Sequence, residues 1–275
     1  MIGFAQVWPR ADHTEWDLAF LSPSLDHGDG ATRIWQRLLN HLIITGAERG
    51  VLRVYARLSE DSEAEEVLRQ VGFTVVSREE VFVLTQLPGP APLPKGLRRV
   101  DRDDRPALDT FYCQVIPHML HRADGPCANS CASMAPHRMM ISFVSTEEFV
   151  WTEKGKIIAY LGLHSSPKGY WLDVVVRPEY RADLLPYIKY VLTLTECSPT
   201  MPVYSPVFDY SVGLGWLLRT LGFESFTRQV LLVAHTMACI PIRRQVMIRA
   251  LERGIDVGTS VGHMFDERSA HQLYK

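Results

Sequence analysis

The strongest constraint on the fold is an internal repeat on either side of a proline-rich stretch. The stretch LTQLPGPAPLPKG carries four prolines within residues 88–94, which is typical of a linker. On each side, two short strands are followed by a helix, and a second helix ends in a Gly-Phe pair, at Phe73 and at Phe223. Matching positions, such as Trp16 and Trp171, stay about 150 to 155 residues apart. We therefore predict two copies of one fold.

Hydrophobic periodicity predicts the elements of the first copy. After the loop SPSLDHGDG, one apolar stripe at helical spacing contains Ala31, Ile34, Trp35, Leu38, Leu39 and Leu42. The run GVLRVYARL predicts a strand, SEAEEVLRQVG a second helix, and FTVVSREEVFVL a hairpin. Strands that alternate with helices and end in paired strands indicate an α/β fold, with a mixed sheet covered by helices.

Composition excludes several classes of protein. The 275 residues are 47% hydrophobic and 22% charged, which suits folded domains rather than a disordered chain. The formal net charge of −2 predicts no nucleic-acid partner and no membrane partner. No apolar run approaches the roughly 20 residues of a membrane-spanning helix, and no signal-peptide pattern is found. Five cysteines, an odd number, indicate reduced thiols and a cytoplasmic location.

The order of these elements, the loop HGDGAT and the Gly-Phe pair resemble the GCN5-related N-acetyltransferase (GNAT) family, here with two domains in tandem. The resemblance implies an α/β fold of two GNAT-type domains. We expect a partial domain at 1–87, a linker at 88–94, a complete domain at 95–240 and a helical tail at 241–275. The first copy begins at its third strand. Either its start codon is assigned too late, or the missing parts come from the second domain or another chain.

The resemblance also implies that acetyl-CoA is the cosubstrate and binds where the loop opens the helix. Backbone N–H groups at a helix N-terminus bind anions, and glycine lets a diphosphate come close. The positions carried over are Leu21, His27, Gly28, Asp29, Gly30, Ala31 and Thr32 in the first copy, with Val176 and Arg181 in the second. An ordinary strand-to-helix turn is the alternative, since the charge of Asp29 opposes a phosphate. Leu184 and Pro186 replace a glycine and a small residue, so we predict a poorer second site.

Acetyl transfer to an amine needs a base for the amine proton and an acid for the leaving thiolate. The acid of the family is usually a tyrosine on the second helix, four residues before the Gly-Phe pair. Leu68 and Leu218 occupy those positions, and leucine cannot donate a proton. Tyr210 is therefore the catalytic candidate, with Tyr204 nearby; packing is the alternative role for both tyrosines.

The base is expected on the strand before each loop. Glu15 and Asp17 alternate onto one face of that strand in the first copy, and Asp173 lies in the apolar strand YWLDVVV of the second. A buried Asp173 would suit a general base, and the alternative is an aspartate paired with arginine or bonded to the backbone. We interpret Glu147 and Glu148 as surface residues.

One cluster lies outside the family pattern. Within PHMLHRADGPCANSCASMAPHRMM stand His118, His121, Cys127, Cys131 and His137. Thiolates and imidazoles bind zinc, but this spacing matches no known zinc motif, so we assign no metal. The segment alternatively lines the acceptor pocket or forms a plain loop. The tail at 241–275 packs on a domain or docks a second copy, which would make a homodimer.

Two hypotheses for function follow. The first is an acetyl-CoA-dependent N-acetyltransferase that acts on a small-molecule amine. The second is a tandem GNAT fold that has lost catalysis and serves acyl-CoA binding or a structural role. The loop residues favour coenzyme binding, and the two leucines at the tyrosine positions favour loss of catalysis.

Overall fold

One mixed sheet carries both repeats. The computed structural model describes residues 2–10, 14–27, 29–117 and 144–236, which form one compact unit. With η for 3-10 helices, the elements are β1 (Phe4–Pro9), β2 (Glu15–Ser22), η1 (Leu25–His27), α1 (Asp29–Glu48), β3 (Arg53–Ser59), α2 (Glu63–Gln70), β4 (Thr74–Leu84), β5 (Leu97–Arg99), η2 (Arg102–Asp104), α3 (Arg105–Val115), β6 (Ser145–Glu153), β7 (Lys156–Ser166), β8 (Gly169–Val176), η3 (Pro178–Leu184), α4 (Leu185–Leu192), β9 (Val203–Phe208), α5 (Leu214–Thr220) and β10 (Glu224–His235). This confirms the predicted α/β class.

The strand order reads the same from both sides of the sheet centre. Across the described residues the order is β1-β2-β3-β10-β4-β9-β8-β7-β6-β5. If β1, β2, β3 and β4 exchange places with β7, β8, β9 and β10, the first eight strands appear in the same order read backwards. Each repeat has thus inserted its last strand between the last two strands of the other. The repeat predicted from the sequence is present, but its two copies are interlocked.

The pairing at the centre places a pseudo-two-fold axis. Glu79 of β4 lies opposite Gln229 of β10, and these residues are 150 positions apart. Arg78 lies opposite Val230, while Arg228, the counterpart of Arg78, lies opposite Glu80. Glu79 therefore faces its own counterpart, and the residues on either side of it each face the counterpart of the other, as a two-fold axis between Glu79 and Gln229 requires.

The hydrophobic cores follow the exchange of strands. Val230, Leu232 and Ala234 of β10 pack with the first-repeat helices α1 and α2. Phe82 and Leu84 of β4 pack with the second-repeat helices α4 and α5. Each repeat thus completes the core of the other. The linker at 88–94 lies between β4 and β5 without helix or strand; the domain boundaries stay a prediction, and the tail at 241–275 lies outside the described residues.

One of the two residue matches across the repeats is correct. The N–H groups of Phe73 and Phe223 donate to the carbonyls of Leu68 and Leu218, each at 3.1 Å, and both rings are buried. The match of Trp16 with Trp171 is wrong by one residue. Asp17 lies opposite Tyr55, and Trp171 lies opposite Tyr204. The two tyrosines occupy equivalent positions, Tyr55 in the β3–β10 ladder and Tyr204 in the β9–β4 ladder. The counterpart of Trp171 is therefore Asp17. A shift of one residue turns a side chain to the other face of the sheet.

The predicted hairpin in FTVVSREEVFVL is also wrong. This segment is a single 11-residue strand, β4, that pairs with β10 on one side and β9 on the other. It contains no glycine, proline or asparagine that would favour a tight turn. Val75 packs in the first-repeat core, whereas Phe82 and Leu84 pack in the second-repeat core.

The helices lie on both faces of the sheet. The predicted stripe of α1 is confirmed, since Ala31, Trp35, Leu39 and Leu42 are buried against β2, β3 and β10. Helix α3 covers the opposite face, where Phe111 and Tyr112 pack on Val150 and Tyr160 of β6 and β7. The face opposite α1 and α4 therefore carries the polar side chains described below.

A buried ion pair spans the sheet centre on that opposite face. Arg57 of β3 reaches across β10, and its Nε lies 2.7 Å from Oε1 of Glu79 on β4. The exposed fractions of the two side chains are 17% and 1%. Because both charges have left water, each depends on its partner.

We predict that Glu79→Ala lowers the free energy of unfolding by about 3 kcal/mol, because the Arg57 cation is left buried without its carboxylate. The double variant Arg57→Met/Glu79→Leu should recover most of this loss, since it removes both charges together. Chemical denaturation of the three proteins measures the effect. A single variant as stable as the wild type would show that the pair has no structural role.

The same carboxyl group predicts a dependence of stability on pH. Burial raises the pKa of Glu79 above its ordinary value of 4.5, Arg57 opposes the shift, and the charge of Asp173 adds to it. The folded state therefore binds this proton more tightly than the unfolded state. The contribution of this proton to the free energy of unfolding is complete below pH about 4.5, and it is lost as the pH rises through the raised pKa of Glu79. Glu79→Gln should lack this contribution when denaturation curves are compared between pH about 4 and 8.

Candidate functional site

Two gaps open where parallel neighbours in the sheet diverge. In the first repeat, β2 and β3 pair from Glu15 to Leu18 and then separate. In the second repeat, β8 and β9 share only two pairs, at Tyr170 and Trp171, before they separate. We call these gaps the first wedge and the second wedge. Each opens toward the loop that follows β2 or β8, which is where the resemblance places coenzyme binding.

The first wedge contains a cavity of about 430 Å³. It is lined by Phe20, Leu21, Ser24, Leu25, Asp26, Trp35, Ser62, Glu63 and Ala64. The indole Nε1 of Trp35 donates to the carbonyl of Pro23 at 2.7 Å, which holds the loop against α1. Of the predicted coenzyme residues, Leu21 therefore lies at a cavity.

The start of α1 offers backbone donors beside this loop. The helix begins at Asp29, and the first four N–H groups of an α-helix have no acceptor within the helix. A Cβ added at Gly30 would meet no atom within 4 Å, so the fold itself does not require glycine there. Ala31 is buried under the helix, and Thr32 is half-buried. Gly28 and the side chains of His27 and Asp29 lie outside the part of the chain that is described, so their roles stay predictions.

The carboxylates of the first repeat are held in ion pairs. Asp17 accepts two hydrogen bonds from Arg10, at 3.0 and 2.9 Å, and Glu15 lies 2.6 Å from Nη1 of Arg53. Arg10 also approaches Glu15 at 3.4 Å and stacks over the ring of Tyr55. The two carboxylates share one face of β2, as predicted. Their charges are neutralised by arginines, which gives them a structural role.

The second wedge is bridged by Arg181. Its guanidinium donates to the carbonyl of Val212 at 2.7 Å and to that of Tyr210 at 3.4 Å, so it ties the loop after β8 to the segment after β9. Val176 and Leu184 point into the core and are buried, so the bulk of Leu184 does not obstruct the wedge. This corrects the expectation that leucine hinders a coenzyme at this position.

A chain of hydrogen bonds lies on β6, β7 and β8 beside the second wedge. The Nε2 of His164 is 3.0 Å from Oδ2 of Asp173, and its Nδ1 is 3.0 Å from the hydroxyl of Thr146. We assign the imidazole proton to Nε2, because the carboxylate needs a donor, and Nδ1 then accepts from Thr146. His164 is 1% exposed and Asp173 is 17% exposed, so of these two side chains only the aspartate reaches solvent.

Tyr160 and Glu148 extend this cluster across a glycine. Asp173, Gly162 and Glu148 lie opposite one another on three neighbouring strands. A Cβ at Gly162 would come within 2.7 Å of the Tyr160 hydroxyl and 3.1 Å of His164 Nε2, so glycine is needed for these groups to converge. The hydroxyl of Tyr160 donates to Glu148 at 2.9 Å. Glu148 is therefore part of the cluster, and its interpretation as a surface residue is wrong.

Tyr210 lies at the opposite lip of the second wedge. Its ring stacks on Phe208 with 5.3 Å between centroids and packs against the α3 core. Its predicted role as an acid stays a prediction. Tyr204 stacks on Trp171 instead, at 5.2 Å.

The coenzyme site predicted in the first repeat and the base predicted in the second repeat, Asp173, do not meet. Asp173 on β8 is separated from β3, one side of the first wedge, by four steps of the sheet, or about 19 Å at 4.8 Å per step. An acyl group held in the first wedge is therefore too far from Asp173 for this carboxylate to take the proton of the attacking amine. Only the second wedge has Asp173 on its own strand, two residues beyond the last β8–β9 pair.

His164, Tyr160 and Thr146 were not anticipated. A signal was present, since IIAYLGLHSS places Tyr160, Gly162 and His164 at alternate positions of a strand that is otherwise apolar. The histidines and cysteines between residues 118 and 137 lie outside the described residues. Among the residues that are described, no group of histidine, cysteine and carboxylate side chains is placed to hold a metal ion, and no helix is long and apolar enough to span a membrane.

Solved structures resemble this chain. No protein-family model matches the sequence, and no curated protein matches it. A GCN5-related N-acetyltransferase from Sphaerobacter thermophilus has 17% identity and a TM-score of 0.54, over 85% of this chain and 76% of that one. Another from Kribbella flavida has 14% identity and a TM-score of 0.51, over 80% of each chain. A functionally unknown conserved protein from Staphylococcus epidermidis has 11% identity and a TM-score of 0.54, over 81% and 85%. The chain therefore has the GNAT fold.

We predict that Gly30→Val weakens acetyl-CoA binding in the first wedge by about 1–3 kcal/mol, because the side chain blocks charge-assisted bonds to the α1 N–H groups. The fold should be unaffected, since no atom lies within 4 Å of the new Cβ. Isothermal titration with acetyl-CoA measures the change.

Ala182→Val is the matched control, because Ala182 is exposed in the loop of the second wedge. Leu184→Ala is unsuitable, because it would empty a buried core position. If Ala182→Val weakens the tighter binding event and Gly30→Val does not, the coenzyme occupies the second wedge first.

Proposed function

We propose that the protein is an acetyl-CoA-dependent N-acetyltransferase that acts on a small-molecule amine in its second repeat. The observation that supports this most directly is the chain of Thr146, His164 and Asp173. It ends in a solvent-reaching carboxylate oxygen at the point where β8 and β9 diverge.

Asp173 is the proposed base. An ammonium acceptor cannot attack a thioester until it loses a proton, and Asp173 would take that proton. His164 is a positioning residue, because its bond to Oδ2 orients the other carboxylate oxygen outward. Acetyl-CoA supplies a thioester carbonyl: the amine nitrogen bonds to that carbon, the carbon–sulfur bond breaks, and the electron pair leaves on sulfur.

No strong acid is required for the leaving group. A coenzyme A thiolate is weakly basic, so water can protonate it once it has left. Tyr210, at the other lip of the second wedge, is the proposed side-chain donor. This fits the buried leucines at the tyrosine positions of the family, Leu68 and Leu218.

Arg181 would hold the coenzyme pyrophosphate in the second wedge. Its guanidinium is already placed between the two lips and is bound to neutral carbonyl oxygens. Exchange of these carbonyls for phosphate oxygens replaces neutral acceptors with charged ones, which form stronger bonds. We expect weaker binding here than in the first wedge, because Pro186 has no N–H to contribute.

The second candidate function is acyl-CoA binding without transfer, in the first repeat. The first wedge has a cavity that could hold a ligand. Its carboxylates, Glu15 and Asp17, are neutralised by ion pairs with arginines, which favours binding without transfer. The two functions are compatible, with a binding copy and a reacting copy in one sheet.

We predict that Asp173→Asn lowers turnover by about 10²-fold or more, as expected for loss of a general base, while acetyl-CoA binding is unchanged. Tyr210→Phe should lower turnover less. Gly30→Val should leave turnover unchanged, because the first wedge lies outside the reacting site. Release of coenzyme A thiol over a panel of amines is the measurement.

Each outcome separates the two functions. If Gly30→Val abolishes turnover and Asp173→Asn does not, the reaction takes place in the first wedge. If the wild type binds acetyl-CoA but releases no thiol above background with any amine, the transferase proposal is replaced by the binding one.

A further inference from the structure

Three aromatic side chains form a stack next to the polar cluster. Trp171 of β8 and Tyr204 of β9 lie 5.2 Å apart at an interplanar angle of 27°. Tyr204 meets Phe226 of β10 edge to face, at 5.4 Å. We call these three residues the aromatic shelf. Its residues come from strands on both sides of the second wedge, and the contact between Tyr204 and Phe226 spans β4, which lies between β9 and β10.

The shelf shares its face of the sheet with the proposed base. Trp171 and Asp173 are two residues apart on β8, so their side chains point to the same side, about 6.6 Å apart along the strand. His164 lies opposite Trp171, and Gly162 lies opposite Asp173. The shelf and the hydrogen-bonded chain therefore form adjacent rows on one surface.

Phe226 is presented outward at an irregularity in its strand. The ladder between β10 and β4 shifts register between Ser225 and Thr227, which leaves Phe226 without a partner position in that ladder. Such a bulge re-aims a side chain. The Phe226 side chain is 60% exposed, so a large apolar surface is left at the end of the shelf.

We propose that the acceptor is an arylalkylamine, whose ring stacks on the aromatic shelf while its ammonium group lies at Asp173. This rests on the proposed acetyl transfer. The same-face spacing of about 6.6 Å fits a ring joined to its amine by a linker of about two carbons. Offset or edge-to-face contact with three rings favours an aromatic group, and the face of Trp171 also attracts the cation.

The experiment compares phenethylamine with hexylamine, an aliphatic amine of similar length, on the full chain. In thiol release, we expect the wild type to favour phenethylamine by about 10-fold in kcat/KM. Phe226→Ala and Trp171→Leu should each reduce this preference to near unity. Phe4→Ala is the matched control, because Phe4 is 56% exposed and is stacked on Phe20 at the far edge of the sheet. It should leave the preference unchanged.

A second arm measures binding of both amines by isothermal titration without acetyl-CoA. If no amine supports thiol release, the proposed transfer fails, and this arm alone decides the inference. Tighter binding of phenethylamine that is lost in Phe226→Ala supports the shelf. Equal binding of the two amines, or binding of neither, overturns it. Thiol release at equal rates with both amines overturns the shelf while the transferase stands.

Discussion

The pairing of β4 with β10 is the contact on which the rest of the structure depends. Each of these strands belongs to one repeat by sequence and to the other by packing, as Phe82 and Val230 show. Because the ladder is centred on Glu79 and Gln229, it fixes both repeats at once. The two wedges are then held at equivalent positions on either side of the axis, with four strands between β2 and β8.

The equivalent backbone carries different chemistry in the two repeats. Where the first repeat has Asp17, bound to Arg10, the second has Trp171. The carboxylate of the second repeat stands two residues further along its strand, where it meets a histidine in place of an arginine. Asp17 receives two charge-assisted hydrogen bonds from Arg10, whereas Asp173 has one hydrogen bond with His164. Equivalent strands of one fold thus hold carboxylates with different partners.

Much of the fold was predictable because its signals are local. The stripe of α1 and the Gly-Phe pairs at Phe73 and Phe223 depend on spacing along one element. The exchange of β4 and β10 was not predictable, since either strand satisfies the same pattern in its own repeat or in the other. The hairpin expected in place of β4 failed for the same reason: a strand buried on both edges needs partners that are distant in the sequence.

In the candidate site, too, local features were predictable from the sequence and contacts between strands were not. The position of Asp173 in an apolar strand drew attention to it, and the structure places it at a wedge. Its partner His164 comes from the neighbouring strand, and only the register of the β7–β8 ladder brings the two together. Likewise, Glu148 looked like a surface residue because the sequence does not show that Tyr160 points at it. Cross-strand contacts depend on register, and one residue of error in register reverses the face, as the match of Trp16 with Trp171 did.

The exchange of strands also sets the order in which this protein can be made. Thr74 and Val233, which touch across the central ladder, are 159 residues apart, so β4 leaves the ribosome long before β10 exists. Until β10 is synthesised, the backbone groups of β3 and β4 that pair with it have no partner strand, and such unpaired edges can pair with other chains and cause aggregation. The middle of β4 carries three consecutive charged residues, Arg78, Glu79 and Glu80. Charged side chains oppose pairing with strands of other chains. The residues at the pseudo-two-fold axis would therefore also reduce aggregation of the growing chain during synthesis.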